Sequence, residues 1–258
     1  MKRVHLFEFE DQRWFPGWLR NSMTRLIVVM HGILDTRTDI TELVERSLPY
    51  SSQKRIVDLC SGNGGPMPDV IAELPEDVSL ELTDLYPDQQ TASRINSSSE
   101  DNISYRTDPV DATSFSEPGL RTMICSFHHM KPEVAKGILK SASVSGEPIV
   151  LYEISDNSMP LAIAWLALPV NIIMSLFVTV KARPVTWYQL LFTYLIPVIP
   201  LFFAWDGAVS NVRTYTLKDL DKLLEGLERE DYVWEKGIIN RKSKKIFMIG
   251  RPVNQSSS

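Results

Sequence analysis

Between Asp156 and Asp206 the sequence carries only two charged side chains, Lys181 and Arg183. A stretch so poor in charge must keep its apolar side chains away from water, whatever surrounds it. Leu161 to Val180 is a run of 20 uncharged residues, and Pro184 to Trp205 is a run of 22. As a helix, each would reach across a hydrocarbon layer of about 30 Å. Trp165 and Trp205 would fall near one boundary and Trp187 and Tyr188 near the other, as in aromatic belts. Lys181 and Arg183 lie in the short connection, against the positive-inside bias, and Pro169, Pro197 and Pro200 favour kinked or re-entrant segments. The expectation is membrane contact through residues 161–205, as a hairpin or a surface-lying anchor. A soluble helical cap and a homodimer contact are the alternatives.

The sequence on either side is that of an ordinary α/β protein. Lys54 to Leu59 is a short apolar run ending in the glycine turn Cys60 to Gly65, and helical spacing resumes from Asp69 to Leu74. Val78 to Leu82, Thr122 to Phe127 and Pro148 to Ile154 are further strands, with a helix from Pro132 to Ala142 between the last two. A helix is expected over Leu217 to Leu227 behind the N-cap Thr216, then two strands, Tyr232 to Ile239 and Lys245 to Gly250, close enough to form a hairpin. Strands alternating with helices predict a doubly wound, parallel, Rossmann-like sheet with an antiparallel edge. The expected division is an N-terminal helical and aromatic segment over 1–53, an α/β core over 54–159 and the apolar insertion over 160–206. A C-terminal helix and hairpin over 207–252 and a frayed tail over 253–258 complete the chain. Because the insertion leaves the carboxyl end of the fifth strand, it is expected on the ligand side of the sheet.

Charge and cysteine usage narrow the partners. With 27 Lys and Arg against 32 Asp and Glu, the net charge of -5 has the wrong sign for binding phosphate backbones, so no nucleic acid partner is expected. Cys60 and Cys125 have neither metal-ligand spacing nor a disulfide pattern, which favours a reducing compartment and no metal. The start, MKRVHLFEFEDQRWF, meets Glu8 before any apolar core and does not resemble a signal peptide.

The glycine turn is where chemistry first becomes legible. A tight turn between strand and helix exposes backbone amides to a ligand, and here Cys60 stands where the dinucleotide fingerprint has its first glycine. Asp84 lies 22 residues after Gly62, at the end of the second strand, where a carboxylate can accept from both hydroxyls of a ribose. The ordered blocks VDLCSGNGG, LELTDLYPD, VDAT (Val110 to Thr113) and MICSFHHM, with the terminal hairpin, resemble the motifs of class I S-adenosylmethionine-dependent methyltransferases. The resemblance covers Lys54 to Met159 and Thr216 to Pro252. It implies a seven-stranded sheet with an antiparallel last strand, S-adenosyl-L-methionine as cofactor and S-adenosyl-L-homocysteine as product. By the same resemblance Gly62 and Gly64 would meet the methionine part, Asp84 the ribose and Asp111 the adenine, with Asp58, Cys60, Ser61, Leu85, Ala112 and Ser126 lining the same site. Cys60 departs from the family's glycine. The whole chain, including HLFEFEDQRWFP and WDGAVSNVRTYT, also resembles a group of bacterial methyltransferase-like proteins, which supplies no acceptor.

His128 and His129 follow the fourth strand at the carboxyl end of the sheet, where one of them could take a proton from an acceptor hydroxyl or amine. The other reading is that one histidine packs or caps the next helix. Glu153 and Asp206 are further catalytic candidates, and Trp14, Arg213 and Tyr215 are candidate substrate contacts, although Asp206 and Arg213 could instead pair as a structural clamp. Phe7, Phe9, Trp14, Phe15 and Trp18 form either a lid or core packing. The function these residues predict is methyl transfer to oxygen or nitrogen of a small or lipid-like, largely apolar acceptor, at the cytoplasmic face of a membrane or in the cytoplasm. The rival is a cofactor-binding or membrane-associated scaffold without turnover.

Overall fold

The computed structural model describes residues 1–12, 14–98, 101–158, 160 and 165–253. Met159 and residues 161–164, at the start of the insertion, and 254–258 of the tail lie outside the described residues. The chain divides into two units: 1–35 with 155–216, which is helical, and 36–154 with 217–258, which holds the sheet. The boundaries expected at 53/54, 159/160 and 206/207 are thus drawn elsewhere. The first 35 residues group with the insertion, and residues 36–53 group with the sheet.

In the sheet unit the strands are β1 (Arg55–Leu59), β2 (Ser79–Thr83), β3 (Ile103–Tyr105), β4 (Leu120–Ile124), β5 (Ile149–Glu153), β6 (Tyr232–Ile239) and β7 (Lys245–Pro252). Their order is β3-β2-β1-β4-β5-β7-β6. The first five are parallel, and β7 runs antiparallel to both β5 and β6. Helix α2 (Thr36–Ser47), α3 (Met67–Ile71), α4 (Gln89–Asn96), α5 (Pro132–Ser145) and α9 (Leu217–Leu224) accompany the sheet. Every residue of β5 is buried, as expected of a central strand covered on both faces. Ile40, Leu43 and Val44 of α2 and Met67, Val70 and Ile71 of α3 share one core with Ile56, Leu80, Leu82, Val150 and Ile249 of the strands. A buried polar tie fixes α2 there: Asp39 Oδ2 accepts from Tyr152 Oη at 2.8 Å and from Lys245 Nζ. This tie explains why residues 36–47 belong to the sheet unit.

The helical unit contains α1 (Gly17–Leu34), α6 (Ala167–Thr179), α7 (Trp187–Leu190, continued by a π turn over Leu191–Leu195) and α8 (Val198–Arg213). Phe15, Leu19, Met23 and Leu26 pack with Val178, Ile199 and Phe203. The two uncharged runs do not form two straight spans. Among the described residues no single helix is long and apolar enough to cross a membrane, and Trp187–Leu195 and Val198–Arg213 meet at 78°. The prolines account for this. Pro197 caps α8 and Pro200 sits in its first turn, where a missing N–H costs least, so the second run restarts as a new helix.

Candidate active site

All but four of the expected site residues come together at one edge of the sheet unit, where the carboxyl ends of β1 to β5 lie side by side. The order β3-β2-β1-β4-β5 places the loops bearing Asp111, Asp84, the glycine turn and His128 in succession, with Glu153 closing β5.

The turn after β1 is built by left-handed backbone. Cys60 has φ 59°, Gly62 51°, Gly64 93° and Gly65 50°. Cys60 therefore holds a left-handed conformation that favours glycine, at a strain of about 1–2 kcal/mol. Gly62 is exposed, and a Cβ there would meet nothing, leaving its surface open. At Gly64 a Cβ would stand 3.1 Å from Leu82 Cδ1, so this glycine lets the loop pack onto the core. The Gly62 amide donates to Asp84 Oδ2 at 3.0 Å, and the Tyr86 amide donates to Oδ1 at 2.9 Å. Asp84 thus stands over the turn with its carboxylate oriented. Leu85 and Tyr86 beside it are exposed.

Several residues that sequence reasoning did not single out hold this loop. Tyr105 Oη donates to the Gly62 carbonyl at 2.9 Å, and Thr91 Oγ1 donates to Asn63 Oδ1 at 3.1 Å. Tyr105 closes β3, a three-residue strand whose only sequence signal is the alternation Ile103-Ser104-Tyr105.

Asp58 lies beneath the turn, fully buried, with Oδ1 accepting from Thr122 Oγ1 at 2.6 Å. Burial pushes its carboxyl up to about 7, against the hydrogen bonds from Thr122 and Ser61. Burial, helped by the carboxylates of Asp84, Asp58 and Asp111, likewise pushes the Cys60 thiol up to about 12, so it is no thiolate nucleophile. Asp111 is exposed, and its Oδ1 accepts from the Thr113 amide and hydroxyl at 2.8 and 2.7 Å, while Ala112 is buried. Ser126 is buried, and its Oγ has no hydrogen-bond partner among the described residues.

β4 ends three residues before the expected Phe127, because Cys125 turns left-handed at φ 54° and Phe127–His129 form a 3-10 turn. The turn places the His128 amide 2.9 Å from Glu153 Oε1 and His128 Nδ1 2.8 Å from Glu153 Oε2. Both groups are buried. A carboxylate at Glu153 can accept a hydrogen carried on Nδ1, which is the tautomer this contact would favour. Glu153 thus holds both the amide and the ring of His128. The His129 ring lies 4.2 Å from that of His128, tilted by 36°.

The other four expected residues belong to the helical unit. Asp206 and Arg213 do not clamp each other. Asp206 accepts from the amides of Phe9 and Glu10 at 2.8 and 3.1 Å, and Arg213 pairs with Asp11 at 2.8 Å and Glu8 at 3.2 Å. Both tie the N-terminal segment to α8. Burial pushes the Asp206 carboxyl up to about 7, the two amides opposing and Glu8 and Asp11 adding to the rise. Tyr215 is buried under the Arg3 guanidinium, 4.3 Å away, and Trp14 is 67% exposed at the edge of Phe9 and Phe15. The aromatic segment packs on its own unit, Phe9 against Phe202 and Phe7 against Trp205.

No protein-family model matches the sequence, and no curated protein matches it. Solved structures share its fold. LaPhzM superposes with a TM-score of 0.51 at 11% identity, covering 85% of this chain and 56% of its own. The plantazolicin methyltransferase BpumL in complex with SAH gives 0.48 at 11%, covering 91% and 97%. An O-methyltransferase family protein from Burkholderia thailandensis gives 0.49 at 11%, covering 87% and 58%. The chain thus spans little more than half the length of the first and third of these. Sheet order, the antiparallel β7 and the superposition with LaPhzM identify the class I methyltransferase fold.

Proposed function

We propose that the chain is an S-adenosylmethionine-dependent methyltransferase acting on oxygen or nitrogen of a small or lipid-like, largely apolar acceptor presented at a membrane. The observation that carries this reading is the shared carboxyl edge, where an oriented Asp84 stands over an open glycine turn and a buried His128–Glu153 pair lies two strands away. The residues fit the cofactor: Gly62 leaves room, Asp84 offers acceptors for ribose hydroxyls, and the Ser126 hydroxyl is an unpartnered polar atom at the same edge. Asp111, Leu85 and Ala112 would take the adenine end. When bound, S-adenosylmethionine supplies an electrophilic methyl group on a sulfonium. His128 Nε2 would accept the proton that the acceptor's O–H or N–H loses, and Glu153 would stabilise the resulting imidazolium through Nδ1. Free Cys60 and Cys125 accord with a reducing compartment.

Calorimetry with both forms of the cofactor tests the first half. Binding should weaken roughly 10- to 100-fold in Asp84→Ala, the loss of a charged hydrogen-bond acceptor. No binding by the wild-type protein would remove the cofactor, and unchanged binding by the variant would remove its placement. Incubation of labelled cofactor with lipid and with polar metabolite extracts tests the acceptor. Label confined to polar products counts against an apolar one, and binding without turnover in any extract identifies the scaffold. His128→Ala should lower turnover roughly 100-fold or more at unchanged cofactor affinity.

A further inference from the structure

Beside its apolar core the helical unit buries several polar side chains while leaving a row of large apolar ones outside. Its inward positions hold Ser175, Thr179, Gln189 and Thr193, each no more than 1% exposed. Thr179 and Thr193 hydroxyls lie 3.4 Å apart, Arg25 Nε donates to Gln189 Oε1 at 3.0 Å, and Ser175 Oγ donates to the Ile172 carbonyl at 2.7 Å. Outward stand Val170, Ile173, Phe177, Trp187, Leu195 and Leu201, between 56% and 76% exposed. A helix in water puts its polar stripe outside. Here α6 shows the reverse: with Leu166 before it and Val180 after it, Val170, Ile173 and Phe177 continue a spacing of four and three that forms one apolar stripe.

We infer that this outward face lies on a lipid surface bearing anionic headgroups and enters one leaflet without crossing. Depth is set by the fold. The 13 residues of α6 extend about 20 Å, short of the roughly 30 Å hydrocarbon layer, and the second apolar run is bent by 78°. The boundary is marked by charge. Lys181 and Arg183, both exposed, follow the stripe directly, and Trp187, 74% exposed, follows them, the cation-and-indole combination that settles at headgroups. The stripe from Leu166 to Val180 carries no charge of either sign, and the exposed cations directly after it complement anionic headgroups at the edge of an apolar layer. The inference deepens the reading of a membrane-presented acceptor, yet it depends only on the helical unit.

Flotation of the full-length protein with phosphatidylcholine vesicles, with and without one third phosphatidylglycerol, tests it without any activity measurement. Binding is expected to both, stronger to the anionic vesicles at low salt. Phe177→Glu with Leu195→Glu should weaken partition roughly tenfold or more while leaving circular dichroism and thermal unfolding unchanged, because both positions are exposed in water. Lys181→Gln with Arg183→Gln should abolish only the anionic preference. Absence of flotation would overturn the inference, as would a detergent-free dimer that the Phe177 and Leu195 changes dissociate, which would assign the face to a second copy. Equal flotation of the wild-type and doubly acidic proteins would move lipid contact off this face. Failure of cofactor binding leaves these outcomes untouched, so the two readings fail separately.

Discussion

Replacing Asp58 by Asn isolates one buried charge. The carboxyl is 3% exposed and rises from the ordinary 3.8 to about 7, desolvation being the main cause and the Asp84 charge a lesser one. The folded-state value lies above the unfolded one, so folding favours the neutral acid. Its contribution to stability is complete below pH 3.8 and is lost as pH rises, the loss finishing as pH passes about 7. From 3.8 to about 7 corresponds to about 4 kcal/mol. Asparagine keeps an oxygen for the Thr122 hydroxyl, 2.6 Å from Asp58 Oδ1, and cannot ionise. The stability difference, variant minus wild type, should therefore climb by about 4 kcal/mol between pH 4 and pH 8 and flatten beyond. Urea unfolding of both proteins at half-unit steps, with equal m-values, measures it. Parallel stability curves across that range would refute the burial argument, and a climb that begins only above pH 8 would place the titration on another group.

Three further outcomes follow from the geometry. Cys60→Gly, at φ 59°, should be neutral or stabilising by up to about 1 kcal/mol in thermal unfolding, and a loss of about 2 kcal/mol would show that the thiol's packing outweighs its backbone strain. Glu117 bridges Arg55 at 3.0 Å and Arg106 at 2.6 Å, and the Arg106 hydrogen bonds hold its carboxyl down at about 2. With 42% of its side chain exposed, Glu117→Gln should cost less than about 1 kcal/mol, an effect present above pH 4.5, fading as pH falls toward 2 and screened by 1 M salt; a salt-independent loss would contradict this. Asp206→Ala removes the acceptor for two amides and should raise chymotryptic cleavage at Phe7 and Phe9 roughly tenfold, whereas an unchanged cleavage rate would mean that other contacts hold the segment.

The sheet was largely legible because its signals are local. Arg55–Leu59, Ile149–Glu153 and Tyr232–Ile239 are compact apolar or alternating runs bounded by turn residues, and the structure places them within a residue or two of the expected ends. β3 was not, since three residues give too short a period to separate from a loop. At the site, residue type and spacing pointed to Asp84 and His128, but not to their partners. That Glu153 holds both the amide and Nδ1 of His128 depends on the left-handed Cys125, which no propensity scale anticipates in a cysteine. At Asp206, too, the sequence does not show the partners. Its position beside an apolar run suggested chemistry, whereas its oxygens are committed to amides 197 and 196 residues away in sequence. Apolar length permitted spans while the prolines favoured kinks, and the second run does restart as a new helix behind Pro197.

That separation between Phe9 and Asp206 also bears on how the protein is made. At about 5–20 residues per second a ribosome needs on the order of 10–40 s to travel from one to the other. For most of that interval Leu19, Met23 and Leu26 of α1 exist while Val178 and Ile199, against which they pack, have yet to be made. Helix α1 is thus made well before its neighbours, and until they follow it is an amphipathic segment waiting for chaperone, membrane surface or partner residues to cover it.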